Sequence, residues 1–322
     1  MILRNGKHAG SILIVCACMI GFAAPTHAET WHPPKGTTEM PLWPAELAIA
    51  RPETSGPERT NVYKGPKAPL GIPTTTVFDV TRPTLTIFRA KGVNTGAAVL
   101  VFPGGGYKVL AIDFEGTEVC DWLTPHGITC AVLKYRVPNS GPHWDASCKC
   151  QKVPAVPMAL QDAQRSMAIL RSRAKEFGID PHKVGVLGFS AGGHMVADTS
   201  NADKLSYAPV DAADRQDVRP NFGVALYPGH LWAEKGVELA PWNHISAKAP
   251  PTFIIAAEDD PVDDVRNSIT YFLALRDAKV PVEMHIYAHG GHAFGLRRTE
   301  QPITHWPDLV EKWLRTIGIL TG

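Results

Sequence analysis

The stretch VGVLGFSAGG, residues 184–193, joins a short apolar strand to the start of a helix. Residues 188–192 within it have the spacing G-x-S-x-G, in which a serine occupies a sharp turn between a strand and a helix. Small residues two positions on either side of Ser190 allow the strand and the helix to approach each other closely. Because this turn lifts the Ser190 hydroxyl to the carboxyl edge of a sheet, we predict that Ser190 is a nucleophile. The alternative is a serine that only caps a helix after a tight turn.

Strands and helices alternate on both sides of this turn. Continuous apolar runs, such as residues 97–102, are typical of strands that are buried on both faces of a parallel sheet. Apolar residues at helical spacing indicate an amphipathic helix that ends at Gly178. Strands are predicted at 84–88, 97–102, 128–135, 184–187, 222–227, 252–257 and 282–287, and helices at 115–123, 157–177, 190–197, 267–278 and 308–319. This order predicts an α/β fold with a doubly wound, mainly parallel sheet, helices on both faces and little or no cap.

The first residues are typical of a targeting segment. Positive charges at Arg4 and Lys7 precede an apolar run over residues 9–24, and a small residue, Ala28, suits cleavage after it. An uncleaved anchor is the alternative, but the run is shorter than the ~20 residues needed to span a bilayer. We expect export to the periplasm or secretion, without stable membrane insertion after cleavage. The predicted organisation is a signal peptide at 1–28, an extended Pro-rich arm at 29–72 and a catalytic domain at 73–322.

Charge and cysteine content narrow the class of protein. The 322 residues carry 32 Lys and Arg against 31 Asp and Glu, and the absence of a polybasic block argues against a nucleic-acid partner. The cysteines after the signal segment are Cys120, Cys130, Cys148 and Cys150. An even number in an oxidising compartment permits disulfides, so we expect thiols or disulfides rather than a zinc site. Their pairing and the oligomeric state stay open.

A glycine run after the strand at 97–102 supplies candidate oxyanion donors. The sequence PGGGY, residues 103–107, allows bare backbone amides to approach a substrate. Acyl transfer needs such donors where negative charge develops in the transition state. We predict that the amides of Gly105, Gly106 and Ala191 serve as these donors, and that Tyr107 contacts the substrate. The alternatives are a flexible turn and a phosphate-binding loop, and the latter lacks the Lys-Ser/Thr that should follow.

A serine nucleophile needs a base and a carboxylate that orients the base. His292 lies in a glycine-rich loop after the last predicted strand, and Asp260 follows the preceding strand. The order Ser190, Asp260, His292 is the nucleophile, acid and base order of the α/β-hydrolase fold. His289 is the alternative base, and Asp259 is a closer alternative for the acid. The pair of histidines lacks further ligands for a metal.

Together these motifs resemble the α/β-hydrolase carbohydrate esterases and lipase-like proteins, near the acetyl-xylan and feruloyl esterase group and related to the hormone-sensitive-lipase type. The resemblance covers about residues 82–317 and rests on the motifs at 103–107, 179–181, 188–194, 219–220, 227–229, 259–261 and 290–295. It implies a serine esterase that removes short acyl groups, often acetyl groups on polysaccharides, through Ser190, Asp260 and His292. The expected partner is a small-molecule or polysaccharide ester, and the chemistry needs no cofactor. Pro103 stands where lipase relatives usually have His, which disfavours a lipase.

Several further expectations concern residues outside these motifs. Residues 139–157 resemble an insertion that we expect on the surface rather than in the substrate cleft. We expect His194 to be a packed histidine, and Asp263 and Asp264 to be charges at a helix N-terminus. Asp162 and Arg165 are one helical turn apart, which predicts a surface ion pair of little energetic consequence.

Exposed aromatic residues are candidates for stacking on sugar rings, although aromatic residues in loops more often only pack. These candidates are Tyr107, Trp144, Trp232 and Trp242. Three alternative functions stay open: a lipase or carboxylesterase acting on other esters, a serine peptidase-like hydrolase, and a catalytically inactive hydrolase fold that binds a ligand. An intact serine, histidine and aspartate argue against the last.

Overall fold

The computed structural model describes residues 30–320, so the predicted signal peptide and its cleavage position lie outside the described residues. The strands are β1 (Thr38–Pro41), β2 (Arg59–Tyr63), β3 (Thr74–Phe78), β4 (Thr84–Phe88), β5 (Ala98–Phe102), β6 (Val109–Leu110), β7 (Thr129–Lys134), β8 (His143–Asp145), β9 (Cys150–Lys152), β10 (Val184–Phe189), β11 (Gly223–Leu226), β12 (Thr252–Ala257) and β13 (Val282–Tyr287). The α-helices are α1 (Glu118–Leu123), α2 (Met158–Ser172), α3 (Ala174–Phe177), α4 (Ala191–Asn201), α5 (Arg266–Asp277) and α6 (Trp306–Thr316).

Eight strands form the central sheet in the order β1-β4-β7-β5-β10-β11-β12-β13. The six strands from β7 to β13 in this order are parallel. Strand β4 pairs antiparallel with β7 at one edge, and β1 pairs antiparallel with β4. Every residue of β5, β7, β10, β11 and β12 is buried, as expected for apolar strands covered on both faces. The mainly parallel α/β architecture predicted from the sequence is confirmed.

The strand order places helices on both faces of the sheet. The chain steps from β5 to β7 in one direction and then returns past β5 to β10, β11, β12 and β13. Because crossovers between parallel strands are right-handed, the two directions put α1 on one face and α2, α4 and α5 on the other. Trp122 of α1 and Trp306 of α6 pack with ring centroids 5.4 Å apart, so α6 covers the same face as α1.

The sheet topology brings four loops to one edge. The parallel strands β5, β10, β12 and β13 all end at the carboxyl edge of the sheet, and the loop after each begins there. In open α/β sheets ligands bind outside this edge, near the point where the direction of strand order reverses. Here that point lies between β5 and β10, where the glycine run and Ser190 follow adjacent strands.

The segment at 29–72, predicted as an extended arm, contributes to the sheet and to the core. Its residues 38–41 form β1, which pairs with β4. Leu42 and Trp43, which follow this strand in the chain, are buried. Residues 59–63 form β2, which pairs with β3 in a separate sheet of three strands. Within residues 30–320, no helix is long and apolar enough to cross a membrane.

The expectation of a surface ion pair between Asp162 and Arg165 is wrong. Asp162 is fully buried and accepts hydrogen bonds from the Arg136 guanidinium at 2.7 and 2.9 Å and from the Trp43 indole at 2.8 Å. Arg165 pairs instead with Asp211 and Asp214. Helix α2 is buried on nearly all sides, and tertiary partners from distant segments outcompeted the local one.

Free thiols and disulfides were both expected possibilities for the four cysteines, and the structure has two disulfides. Cys120 of α1 is bonded to Cys130 of β7, which ties the helix to the strand that follows it. Cys148 is bonded to Cys150 at the turn of the hairpin formed by β8 and β9.

Candidate active site

Ser190 occupies the sharp turn between β10 and α4. Its backbone has φ 53° and ψ −118°, a conformation that a non-glycine residue adopts only under strain. The turn depends on the small residues beside it, since a Cβ atom on Gly188 would overlap the Gly192 carbonyl and one on Gly192 would overlap the Phe102 carbonyl. The backbone thus holds the Ser190 side chain at the carboxyl edge of the sheet.

The structure brings Ser190, His292 and Asp260 together in series. The Ser190 Oγ atom lies 3.1 Å from His292 Nε2, and His292 Nδ1 lies 2.7 Å from Asp260 Oδ2. The other oxygen of Asp260 accepts hydrogen bonds from the backbone amides of Val262 and Asp263 at 2.8 and 3.0 Å. These amides fix the carboxylate, and the carboxylate in turn fixes the imidazole so that Nε2 faces the hydroxyl.

Asp259 and His289, the alternatives for the acid and the base, lie beside this series rather than in it. Asp259 accepts hydrogen bonds from the amides of Gly290 and Gly291 at 3.0 and 2.8 Å, and His289 lies 3.3 Å from it. His289 is exposed and has no contact with Ser190. Asp259 therefore stabilises the loop that carries His292, while Asp260 contacts the imidazole.

The glycine run at 103–107 packs against the turn that carries Ser190. It borders a cavity that Ser190 and His292 also line. Gly105 has φ 132° and Gly106 has φ 63°, and a Cβ atom on Gly105 would overlap the Val109 carbonyl. Among residues 30–320, no partner is found for the amides of Gly105, Gly106 and Ala191. An oxyanion is stabilised by free amides close to the nucleophilic serine. The Ala191 amide also lies at the N-terminus of helix α4, where the helix favours negative charge.

Glu115 was not predicted as a site residue, yet it lies directly under the glycine run. Its carboxylate accepts hydrogen bonds from the Gly104 amide at 2.8 Å and from the Tyr227 hydroxyl at 2.7 Å. Burial raises the pKa of Glu115, and the hydrogen bond from Tyr227 and the charge of His292 oppose that rise. The residue belongs to a π-helical turn, Asp113–Thr117, that precedes α1 in the segment predicted as helix.

Asp263 was expected to be a charge at a helix N-terminus, and this expectation is wrong. Helix α5 begins at Arg266, and the Asp263 carboxylate instead lies 3.1 Å from Ser190 Oγ and 3.8 Å from His292 Nε2. Burial raises the pKa of Asp263, and the charge of His292 opposes the rise. The bend at Pro261 that presents Asp260 to the histidine also turns Asp263 inward. Asp264 remains at the surface and pairs with Arg266.

Tyr107 does not line the cavity, which contradicts its predicted contact with the substrate. The side chain is 1% exposed, and its hydroxyl lies 2.8 Å from His194 Nδ1. His194 is fully buried, as expected of a packed histidine, and its Nε2 atom lies 2.8 Å from Asn243 Oδ1. The left-handed backbone of Tyr107, φ 57°, turns its ring beneath the loop instead of toward solvent.

The insertion at 139–157 lies at the surface, but two of its residues also line the cavity, so the expectation that it stays outside the substrate cleft is wrong. Trp144 of β8 and Gln151 of β9 face each other across the hairpin, and both border the cavity that contains Ser190 and His292. Gln151 lies 3.1 Å from His230, which anchors the hairpin to the loop after β11. The cavity has a volume of about 630 Å³ and a mixed lining of aromatic, hydroxyl and charged side chains.

Three carboxylates surround the imidazole of His292. Burial alone would lower the pKa of His292, but the hydrogen bond to Asp260 and the charges of Asp263, Asp260 and Glu115 outweigh it and raise the pKa. The protonated form of the imidazole is therefore stabilised. A base that takes a proton from serine needs this property, because the charged imidazole forms during the reaction.

Comparison with known proteins gives matches over most of the described fold. Residues 159–317 match the prolyl oligopeptidase family. The acetylxylan esterase of Xylanibacter ruminicola is 31% identical over 227 residues, which are 62% of this chain and 42% of that protein. Endo-1,4-beta-xylanase B of Butyrivibrio fibrisolvens is 26% identical over 221 residues, 63% of this chain and 33% of that protein. The chain thus spans less than half the length of each of these two relatives.

A solved structure matches over nearly its whole length. The acetyl ester-xyloside bifunctional hydrolase from Caldicellulosiruptor lactoaceticus superposes with a TM-score of 0.66 at 29% identity, covering 88% of this chain and 97% of that chain. These matches confirm the resemblance that the sequence motifs indicated.

Proposed function

We propose that this α/β hydrolase is a serine esterase that removes short acyl groups, chiefly acetyl, from esters of carbohydrates. The observation that carries the proposal is the series of contacts from Ser190 Oγ through His292 to Asp260, at 3.1 and 2.7 Å, beside free amides of a glycine loop. A hydroxyl, an imidazole and a carboxylate in this order are the arrangement that makes serine a nucleophile.

The reaction proceeds in two steps through an acyl-enzyme. His292 Nε2 takes the proton of Ser190 as Oγ attacks the ester carbonyl carbon, and Asp260 stabilises the imidazolium. The amides of Gly105, Gly106 and Ala191 bind the oxyanion of the tetrahedral intermediate. His292 then donates its proton to the leaving alcohol, and the carbonyl re-forms as the acyl-enzyme. A water molecule, deprotonated by His292, then attacks the acyl carbon of the acyl-enzyme. The tetrahedral intermediate collapses with cleavage of the bond to Ser190 Oγ, to which His292 returns the proton, and the acid is released.

The cavity lining and the relatives both favour a carbohydrate as the alcohol half. Trp144 is 43% exposed at the cavity rim, where an aromatic ring supplies an apolar face, and Gln151 beside it supplies a hydrogen-bonding side chain. One relative is named an acetylxylan esterase, and the matching solved structure is described as an acetyl ester-xyloside hydrolase. Sugar rings present both an apolar face and hydroxyl groups, which fits this combination.

Export is part of the proposal. The two disulfides of the described residues fit an oxidising compartment, such as the periplasm or the exterior of the cell. The targeting segment expected at residues 1–28 would deliver the chain there. Mass spectrometry of the mature protein tests this point: a chain that begins at Glu29 supports export, and a retained N-terminus in the cytoplasmic fraction argues against it.

A serine peptidase is the second candidate, since the matching family is described as prolyl oligopeptidases and the same triad can cleave amides. A panel of acetylated xylan, feruloyl esters, p-nitrophenyl esters of increasing acyl length and prolyl peptide amides separates the candidates. We expect the highest kcat/KM on acetyl esters, a fall with acyl length, and no turnover by Ser190→Ala. Preferred cleavage of the amides, or rates that climb with acyl length, would refute the esterase proposal.

A further inference from the structure

Asp263 lies on the Nε2 side of the His292 ring, beside the nucleophile. Its Oδ2 atom lies 3.1 Å from Ser190 Oγ and 3.8 Å from His292 Nε2, whereas Asp260 holds the Nδ1 side of the same ring. The side chain borders the cavity and packs over Gly229, where any Cβ atom would collide with it. Among residues 30–320, His292 is the only basic side chain within ion-pair distance of it.

The hydrogen bonds of this carboxylate change during the reaction. The Ser190 hydroxyl has one proton and two acceptors within 3.1 Å, namely Asp263 and His292. When His292 accepts that proton to begin the attack, Asp263 loses the Ser190 hydroxyl as its hydrogen-bond donor and keeps only the charge of the imidazolium 3.8 Å away. A largely buried carboxylate without a donor costs free energy, so the reacting complex is favoured if the substrate supplies a hydrogen-bond donor at this place.

The position of Asp263 identifies which part of the substrate would supply the donor. In the second half of the acylation step, His292 Nε2 must reach the leaving oxygen of the alcohol, which is bonded to the same carbon that Ser190 attacks. The Asp263 carboxylate lies within 4 Å of both reacting atoms and therefore adjoins the leaving oxygen. Oxygens on neighbouring carbons of a sugar ring lie about as far apart as two hydrogen-bonded oxygens, about 2.8 Å.

We propose that Asp263 accepts a hydrogen bond from the free hydroxyl next to the ester on the alcohol half, so that the enzyme selects partial esters of vicinal diols. This inference rests on the proposed esterase function and adds a determinant of specificity to it. The preferred substrates are sugars in which an acylated hydroxyl has an unmodified neighbour. Fully acylated or etherified neighbours leave Asp263 without a donor and are poor substrates.

The test compares two acetates that differ only in the neighbouring group. The substrates are methyl 2-O-acetyl-β-xylopyranoside and its 3-O-methyl ether, with p-nitrophenyl acetate as an ester that has no neighbouring hydroxyl. The variants are Asp263→Ala, Asp263→Asn, and Asp264→Asn as a matched control, because Asp264 is half-buried and, among residues 30–320, its carboxylate bonds only to Arg266. Titration of active sites with a fluorophosphonate corrects each kcat/KM for the folded, reactive fraction.

We expect the wild type and Asp264→Asn to prefer the free-hydroxyl acetate over the ether by about 10- to 100-fold, as one hydrogen bond to a charged group allows. Asp263→Ala should lose that preference, so that its kcat/KM on the free-hydroxyl acetate falls by about 10- to 100-fold more than its kcat/KM on the ether or on p-nitrophenyl acetate. An equal loss on all three esters would overturn the inference, because Asp263 would then act on the serine and histidine themselves. An unchanged preference in Asp263→Ala would also overturn it. Absence of turnover of every ester by the wild type would instead refute the esterase function.

Discussion

Replacement of Glu115 by alanine should slow catalysis by removing the anchor of the glycine loop. The carboxylate accepts a hydrogen bond from the Gly104 amide, one residue before the predicted donor Gly105, and holds Tyr227 as well. A hydrogen bond to a charged group contributes about 1.5–3 kcal/mol, which sets a ceiling of about 10- to 150-fold on the rate effect. Because complete removal of an oxyanion donor costs about 100- to 1000-fold, we expect a displaced donor to cost about 10- to 100-fold in kcat.

Glu115→Gln is the matched control for this experiment. Its amide oxygen can still accept from Gly104, and its NH₂ group can donate to the Tyr227 oxygen, so the loop keeps its anchor without the negative charge. We expect kcat of Glu115→Gln within a few-fold of the wild type and little change in KM for either variant. The assay is steady-state hydrolysis of p-nitrophenyl acetate, with thermal unfolding to verify that both variants are folded. A folded Glu115→Ala with wild-type kcat would refute the anchoring role, and equal damage in both variants would assign the effect to charge.

Three further predictions concern pH, the triad acid and the buried ion pair. The pKa of His292 is raised above 6.5 and only the neutral ring accepts the serine proton, so kcat/KM against pH should reach half of its maximum above about pH 6.5. Asp260→Asn should lower kcat by about 10⁴-fold, as in comparable triads, whereas Asp259→Asn should retain most activity in the same assay. Asp162→Ala leaves the buried Arg136 unpaired and should reduce the free energy of unfolding, measured in urea, by about 3–5 kcal/mol.

The outcomes that contradict these predictions are equally specific. If kcat/KM reaches half of its maximum at or below pH 6.5, the surrounding carboxylates do not raise the pKa of His292. Stronger damage from Asp259→Asn than from Asp260→Asn would exchange the roles of the two residues. A loss below about 1 kcal/mol in Asp162→Ala, within the usual range of surface pairs, would contradict the buried network.

The fold and the core of the site could be predicted because their signals are local. Apolar runs and turn residues define each strand, and the order of parallel strands alone brings the loops after β5, β10, β12 and β13 to one edge. Ser190, Asp260 and His292 each follow such a strand, so their convergence follows from topology. In the sequence, Asp260 differs from Asp259 by its position directly before Pro261.

The residues that sequence reasoning missed depend on contacts between distant segments. Glu115 meets a glycine 11 residues away and a tyrosine 112 residues away, and nothing in its own segment distinguishes it from a helical surface charge. Asp263 differs from its neighbour Asp264 only in the direction that the turn after Pro261 gives it. Tyr107 was expected to face the substrate because exposed aromatic residues bind sugars, but a left-handed backbone conformation buries it. Such conformations and partners are set by tertiary packing.

Covalent labelling with a fluorophosphonate tests the central claim most directly, because the probe reacts only with a serine whose hydroxyl is activated. We predict a single adduct on the peptide that contains Ser190, no adduct in Ser190→Ala, and labelling slowed by at least about 1000-fold in His292→Ala. An adduct on another residue, or a labelling rate unchanged by removal of the imidazole, would show that Ser190, His292 and Asp260 do not act as one catalytic unit.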